Sequence, residues 1–291
     1  SDSDGFIDVY APAATTNVDN GNGTTYTITY TNPTANNFDI TQVTSVGTTD
    51  SGNVTKTITE LAIRIPYLKA NPPAGFITKD GVGLGGNVHI ENTTTGTTIW
   101  SGGAVTLTGS ADTDGGGGVT SDRNGINSDI AQNDAQLSSL SGDGFFENFF
   151  STDKASVEEG ANVKLTYNSN QNLSAILAPG STSGSVIWVI RTAGAASFSG
   201  IAAVGSPDEP VILIIDGDFK ANGTTQVYGI IYVTQDWNNT GGGTLDVYGA
   251  VIVEGEYNGN GTPNVIFDEN VLNNVREMAE FARIPGSWRD F

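Results

Sequence analysis

Along residues 1–66 apolar and polar side chains alternate with period two. Thr25–Asn32 (TYTITYTN), Phe38–Gly47 (FDITQVTSVG) and Val54–Ile65 (VTKTITELAIRI) each divide their side chains between two faces, the pattern of half-buried antiparallel strands. Asn20-Gly21, Asn22-Gly23 and Ser51-Gly52-Asn53 supply the turn residues between them. Residues 1–68 are therefore expected to form a small antiparallel β module. Leu68–Phe76 breaks the alternation, and its Pro72-Pro73 pair holds the chain extended at a junction.

The pattern changes between Val211 and Phe267. Val227–Trp237 (VYGIIYVTQDW) and Val247–Tyr257 (VYGAVIVEGEY) match at an offset of 20, and Val211–Phe219 (VILIIDGDF) ends on the same kind of acid–aromatic pair. Asp218-Phe219, Asp236-Trp237 and Glu256-Tyr257 recur at spacings of 18 and 20. One apolar strand per repeat at that period predicts a solenoid, each coil lying on the one before at about 4.8 Å. The runs are continuous rather than alternating, as for strands that face the core on one side and neighbouring chain on the other. Gly229 and Gly249 occupy equivalent points that suit a tight corner, and Asn238 and Asn258 equivalent points that suit a side-chain ladder. The acids of the acid–aromatic pairs are expected to point outward at strand ends. Gly81–Thr113 and Gly184–Pro207 carry weaker versions of the pattern and are assigned to coils of the same helix.

An insertion interrupts the coils from about 111 to 163. Phe145, Phe146, Phe149 and Phe150 fall on one face of a short helix that would pack on the solenoid flank, and Ile130, Leu137 and Leu140 predict a helix before it. At the end of the chain Asp268 caps a helix whose stripe is Val271, Leu272, Val275, Met278, Ala279 and Ala282, ended by Ile284-Pro285-Gly286. It is expected to cover the exposed core and open edge of the last coil. The expected architecture is all-β: an antiparallel module over 1–68, a right-handed parallel β-helix over 69–268 with its insertion, and a capping helix and tail over 269–291.

With 38 Gly and only 15% charged residues, the surface must come from Asn, Thr, Ser and Gln, which suits turns and short strands rather than helical bundles. Twelve Lys and Arg stand against 32 Asp and Glu, a net charge of −20. Such a surface repels a phosphate backbone and an anionic membrane, so neither nucleic acid nor membrane is expected as a partner of these residues. The absence of Cys removes disulfides, zinc–thiolate sites and thiol catalysis. No run of about 18 apolar residues is present, and the acidic, polar start at Ser1 is no signal peptide.

Candidate chemistry is sparse. His89, the one His, is expected outward on a coil and partnerless as a catalytic base. Asp216, Asp218, Asp236, Glu254 and Glu256 recur at coil spacing and would suit a polysaccharide-cleaving row, but no base of the usual kind accompanies them apart from Lys220. Asp114–Thr120 (DGGGGVT) has the glycines of a phosphate loop without its Lys. Calcium fits best: hard cations take several oxygens from carboxylates, amides and carbonyls on a turning loop. The candidate ligands are Asp112, Asp114, Asp122, Asn124, Asp129 and Asp134, with weaker clusters at Asp2, Asp4 and Asp8 and at Asp19, Asn20 and Asn22. Asp122–Gly125 (DRNG) begins like an EF-hand loop but lacks its downstream Glu.

Several segments resemble PilX-type type IV pilus assembly proteins: Ile99–Gly103 (IWSGG), Gly205–Lys220, Val227–Gly261 and above all the terminal Ile284–Phe291 (IPGSWRDF). Ala70–Ala74 (ANPPA), Asp122–Ile126 (DRNGI) and Phe145–Phe150 (FFENFF) match as well, so the likeness runs through most of the chain from about residue 60. The resemblance implies an extracellular, cell-surface role in pilus assembly, adhesion or aggregation, no catalytic residues, and partners among other pilus or pilin-like subunits. Members of that family usually begin with an apolar anchor helix, which the residues from Ser1 onward do not contain. Two rival expectations remain: a filament or surface-layer subunit that pairs with copies of itself, and a β-helix that binds or cleaves surface glycans.

Overall fold

The computed structural model describes residues 15–19, 25–31, 40–49, 54–167, 173, 177, 182–192, 194–198, 202–221, 224–239, 244–261 and 263–291. The turns expected at 20–23 and 51–53, and the acidic clusters at Asp2, Asp4, Asp8, Asn20 and Asn22, lie outside these residues. The chain divides into two compact units, Ser1–Pro66 with Ala279–Phe291, and Tyr67–Met278.

The first unit is one antiparallel sheet. Strands β1 (Thr15–Asp19), β2 (Thr25–Thr31), β3 (Ile40–Thr48) and β4 (Thr55–Pro66) pair in chain order. Their register sets Thr29 opposite Thr44 and Thr44 opposite Thr59, so the period-two alternation becomes two continuous faces across the sheet.

In the second unit the chain passes back and forth between two sheets. Two early circuits are β5 (Phe76–Thr78), β6 (Val82–Gly85) and β7 (His89–Glu91), then β8 (Ile99–Ser101), β9 (Val105–Leu107) and β10 (Asp112–Asp114). β11 (Thr120–Asp122) folds back on β10, and β12 (Ile130–Ala131) lies on β8. Helices α1 (Ala135–Ser138), α2 (Gly142–Phe149) and α3 (Lys154–Gly160) follow. The later circuits are β13 (Val163–Tyr167), β14 (Val186–Arg191), β15 (Ala196–Phe198), β16 (Ala202–Val204), β17 (Val211–Asp216), β18 (Phe219–Ala221), β19 (Thr225–Val233), β20 (Trp237–Asn239), β21 (Leu245–Val253), β22 (Tyr257–Asn260) and β23 (Asn264–Ile266), before helix α4 (Glu269–Glu277). One sheet holds β6, β9, β15, β18, β20 and β22, all parallel; the other holds the remaining strands, parallel except where β11 returns on β10.

The sequence repeats are in register. Tyr228 lies beside Tyr248, Gly229 beside Gly249, and Asn238 beside Asn258. Phe219, Trp237 and Tyr257 line up across β18, β20 and β22. Their rings meet edge-on inside the core, Phe219 to Trp237 at 4.6 Å and Trp237 to Tyr257 at 5.7 Å. Asp236 and Glu256 point outward from the same pairs.

Sequence order and stacking order differ. Strands β13, β14, β17, β19 and β21 stack in that order, and β21 is followed by β5 and β23, with β8 on β5 and β12 on β8. The first circuit is thus the neighbour of the last, and the Phe76 ring lies 5.0 Å from Tyr257 across that junction. Residues between β12 and β13 carry the chain from one end of the stack to the other.

On that route the insertion lies along the outer face of the stack. Ile212, Ile214, Ile230, Tyr232 and Ile252 are fully buried yet do not belong to the interior cluster. Tyr232 meets the rings of Phe145, Phe146 and Phe150 at 6.4, 5.0 and 5.5 Å. Ser141 caps α2 by accepting from Gly144 N–H, which sets the face bearing these Phe. Helix α4, capped by Asp268, packs on β19 and β21 through Val271, Leu272 and Val275. Burial on both faces explains why these strands read as unbroken apolar runs.

Three expectations are corrected. The C-terminal helix ends at Glu277, and Ala279 and Ala282 of its expected stripe lie in β24 (Ala279–Arg283). With β25 (Arg289–Asp290), β24 pairs with β4, so residues 279–291 belong to the small sheet. Helix α4 caps no stack end, because the last coil in sequence is paired on both sides. Nor does the insertion start at 111: β10, β11 and β12 are still sheet strands, and Ile130 lies in β12 rather than in a helix. Thr113, Ser121 and Ile130 are the inward residues of these short strands, a signal too brief to separate from loop.

Candidate functional site

Of the six expected calcium ligands, Asp112 and Asp122 stand opposite each other across β10 and β11 with Asn124 beside Asp122, while Asp114, Asp129 and Asp134 turn to separate partners. Asp134 caps α1, accepting from Gln136 and Leu137 N–H, and also accepts from Trp100 Nε1 at 2.9 Å. The Trp100 bond, more than the cap, holds its carboxyl below the usual range. Asp122 accepts from the backbone and side-chain N–H groups of Asn124 at 2.7 and 2.9 Å, which lowers its pKa and closes a local turn. Asp114 accepts from Gly116 N–H at 2.8 Å, starting the glycine turn that joins β10 to β11. Gly116, Gly117 and Gly118 all have positive φ, so the DGGGGVT run serves that hairpin. Asp112 Oδ1 lies 2.9 Å from His89 Nδ1 on an exposed row.

Asp129 is wholly buried. Its carboxylate accepts from Thr98 Oγ1 at 2.9 Å, from Ser121 Oγ at 2.6 Å and from Thr113 Oγ1. Hydroxyls from Thr98, just before β8, from Thr113 in β10 and from Ser121 in β11 converge on it, tying the β10–β11 hairpin to the stack. Among the described residues, no group of three or more His, Asp or Glu is arranged to hold a metal. The carboxylates that composition offered to a cation are spent on caps, turns and buried hydroxyls.

The acid row divides in the same way. Asp216 Oδ1 accepts from Thr234 Oγ1 at 3.1 Å, Asp218 pairs with Arg191 at 2.8 Å, and Asp236 Oδ1 accepts from Glu256 N–H at 2.9 Å. Glu254 turns into the flank instead, its side chain 7% exposed. It accepts from Tyr232 Oη at 2.7 Å and pairs with Lys154 Nζ at 2.7 Å, and Asp143 lies 3.3 Å from the same ammonium. Burial raises the Glu254 pKa despite these two donors, and burial with the adjoining Glu254 charge pushes the Tyr232 phenol well up. The cluster joins α3 to the end of β21.

Glu254 was expected as a member of the acid row; what sets it apart in the sequence is Thr234 at the equivalent point 20 residues earlier. Lys154 comes from the insertion, and nothing in its local sequence marks it as the partner.

The fold and these sites define a mostly-β protein of stacked parallel strands with a separate antiparallel sheet. No protein-family model matches the chain, and no curated protein matches it. Among solved structures, the competence-associated pilin ComZ from Thermus thermophilus aligns with 97% of this chain and 87% of that one, at 12% identity and a TM-score of 0.22. No helix among the described residues is long and apolar enough to cross a membrane.

Proposed function

We propose that this chain is the exposed part of a type IV pilus-associated surface protein, structural or adhesive and non-catalytic, carrying a right-handed parallel β-helix. The parallel crossovers support that hand, since such connections are right-handed in about 98% of cases. The observation that supports the function is the insertion of the whole stack between β4 and β24, where Ala279 lies opposite Pro66. The stack is thereby one insert in a sheet built from both sides of the chain, an arrangement suited to displaying a rigid body. The IPGSWRDF segment that resembles the PilX-type family works in this sheet. Ser287 Oγ accepts from Leu61 N–H at 3.0 Å, and Asp290 pairs with Lys56 at 2.8 Å. A glycosidase would need two acids free to flank a sugar bond, whereas Asp216, Asp218, Asp236 and Glu254 already hold protein partners.

Immunogold labelling of intact cells with antibody to residues 67–278, beside N-terminal sequencing of the protein sheared from them, tests the proposal. Label along pili and co-purification with pilin subunits are expected. Filaments formed by the purified chain alone would instead favour a self-assembling subunit, and label confined to the cell interior would refute both.

A further inference from the structure

The row of aligned asparagines on the outer surface, which share a register without a side-chain bond between them, stops at the junction of first and last circuits. Asn238 stacks on Asn258, but the next residue in that row is Gly83, with Thr106 beyond it. In the parallel row Asn260 is followed by Gly85. The two glycines leave a trough with Asn258 and Asn260 on one wall and the strand of Thr106 and Thr108 on the other, two strand spacings or about 9–10 Å across. A Cβ on Gly85 would fill its floor, lying 3.1 Å from Thr108 Oγ1 and 3.2 Å from the Gly259 carbonyl. The space amounts to about 520 Å³, and among the described residues only Gly, Thr and Asn line it.

We propose that this trough binds a neutral, unbranched saccharide. Asn238, Asn258 and Asn260 are exposed, and their carboxamides make no hydrogen bond to any described residue. Each carboxamide offers two N–H donors and an acceptor, which match neighbouring sugar hydroxyls that also donate and accept. Among the described residues the lining has no Lys or Arg to hold an anion, Lys220 lying on the strand beyond Asn238, and no carboxylate to hold a divalent cation. Its described residues form no apolar wall for a lipid or aromatic ligand and none of the side-chain pockets by which a bound strand of peptide is read. The bare glycine floor lets a sugar ring approach the backbone. The volume is that of a small-ligand site, which runs from about 300 to 1,000 Å³. The site exists only because the first circuit docks on the last, since Gly83 and Gly85 come from one and Asn258 and Asn260 from the other.

The inference stands apart from pilus association, because it is read on the purified chain. Full-length protein is titrated by calorimetry and by ligand-observed NMR with unbranched hexasaccharides of glucose, galactose, mannose and N-acetylglucosamine, and with a hexauronate. Binding of at least one neutral hexasaccharide is expected. Asn258→Ala/Asn260→Ala, two exposed positions, should weaken it about tenfold, the loss expected for two hydrogen bonds, with the thermal melt unchanged. Gly85→Val should abolish it, and Asp122→Ala, away from the trough, should leave it intact. The proposal is overturned if no neutral saccharide binds at about 10 mM, if binding survives the double Asn variant, or if the hexauronate alone binds.

Discussion

At the residue scale, the acids of this chain act mainly as internal acceptors. Asp129 receives three buried hydroxyls and is the sharpest case. Asp129→Ala strands the Thr113 and Ser121 hydroxyls, while Thr98 Oγ1 keeps the residue's backbone carbonyl, and is expected to cost about 2 kcal/mol or more, since each unsatisfied buried group costs about 1–3 kcal/mol. Asp129→Asn keeps one acceptor oxygen and should recover part of that loss, which urea midpoints will measure. Glu254 behaves differently, because burial raises its pKa in the folded chain. A carboxyl that holds its proton more tightly folded than unfolded makes stability fall as pH rises from the ordinary Glu range through the folded pKa. Relative to Glu254→Gln, the wild type should therefore lose stability from about pH 4 upward until the raised folded pKa is passed, and then hold level. A difference between the two that stays constant across denaturation curves at successive pH values would contradict this assignment. The repeat hinted at Glu254 through the Thr234-to-Glu254 change, whereas Asp129 looked like any other Asp in a polar stretch. Only its burial just before β12, against the hydroxyls of the β10–β11 hairpin, distinguishes it.

At the element scale, the insertion is the second layer of the core. The Phe face read from the 145–150 spacing packs as a helix face should, and Phe146 and Phe150 stack at 4.1 Å over Tyr232. Phe146→Ala removes a fully buried ring and is expected to destabilise by about 3–5 kcal/mol. Hydrogen exchange should place the loss in α1–α3 and the outer face of β19, with the interior-facing strands protected until global unfolding. Uniform deprotection would mean that the insertion and stack open as one body. Periodicity located α2 well but missed β10–β12, since strands of two or three residues carry no measurable period.

At the scale of the whole molecule, the strand order governs what each end of the chain does. Residues 279–291 supply β24 and β25 to the small sheet, while Tyr67–Met278 keeps all its own strands without them. Deleting 279–291 should leave a protease-resistant stack whose melting temperature is nearly that of the full chain, and should make residues 1–66 sensitive to limited proteolysis. Collapse of the stack on deletion would refute this division of labour.

The amino-acid sequence alone determined β2, β3 and β4 of the small sheet, the 18- and 20-residue repeat, the outward acids at strand ends, the Phe face of α2 and the cap at Asp268. All of these are local properties, written in periods of two, 3.6 and about twenty residues, and a chain expresses them wherever it is placed. Tertiary structure alone decided that the first circuit docks on the last, that the C-terminal tail joins the N-terminal sheet, and that Lys154 meets Glu254. It also turned the expected calcium ligands to other partners and opened the glycine trough. Each of these joins segments far apart in the chain, and the apolar runs that pair them are similar enough to stack in several orders. Backbone hydrogen bonding between parallel strands is indifferent to which run comes next, so the choice rests on complementarity that appears only after the chain has folded back, such as Phe76 against Tyr257 and Gly83 beside Asn258.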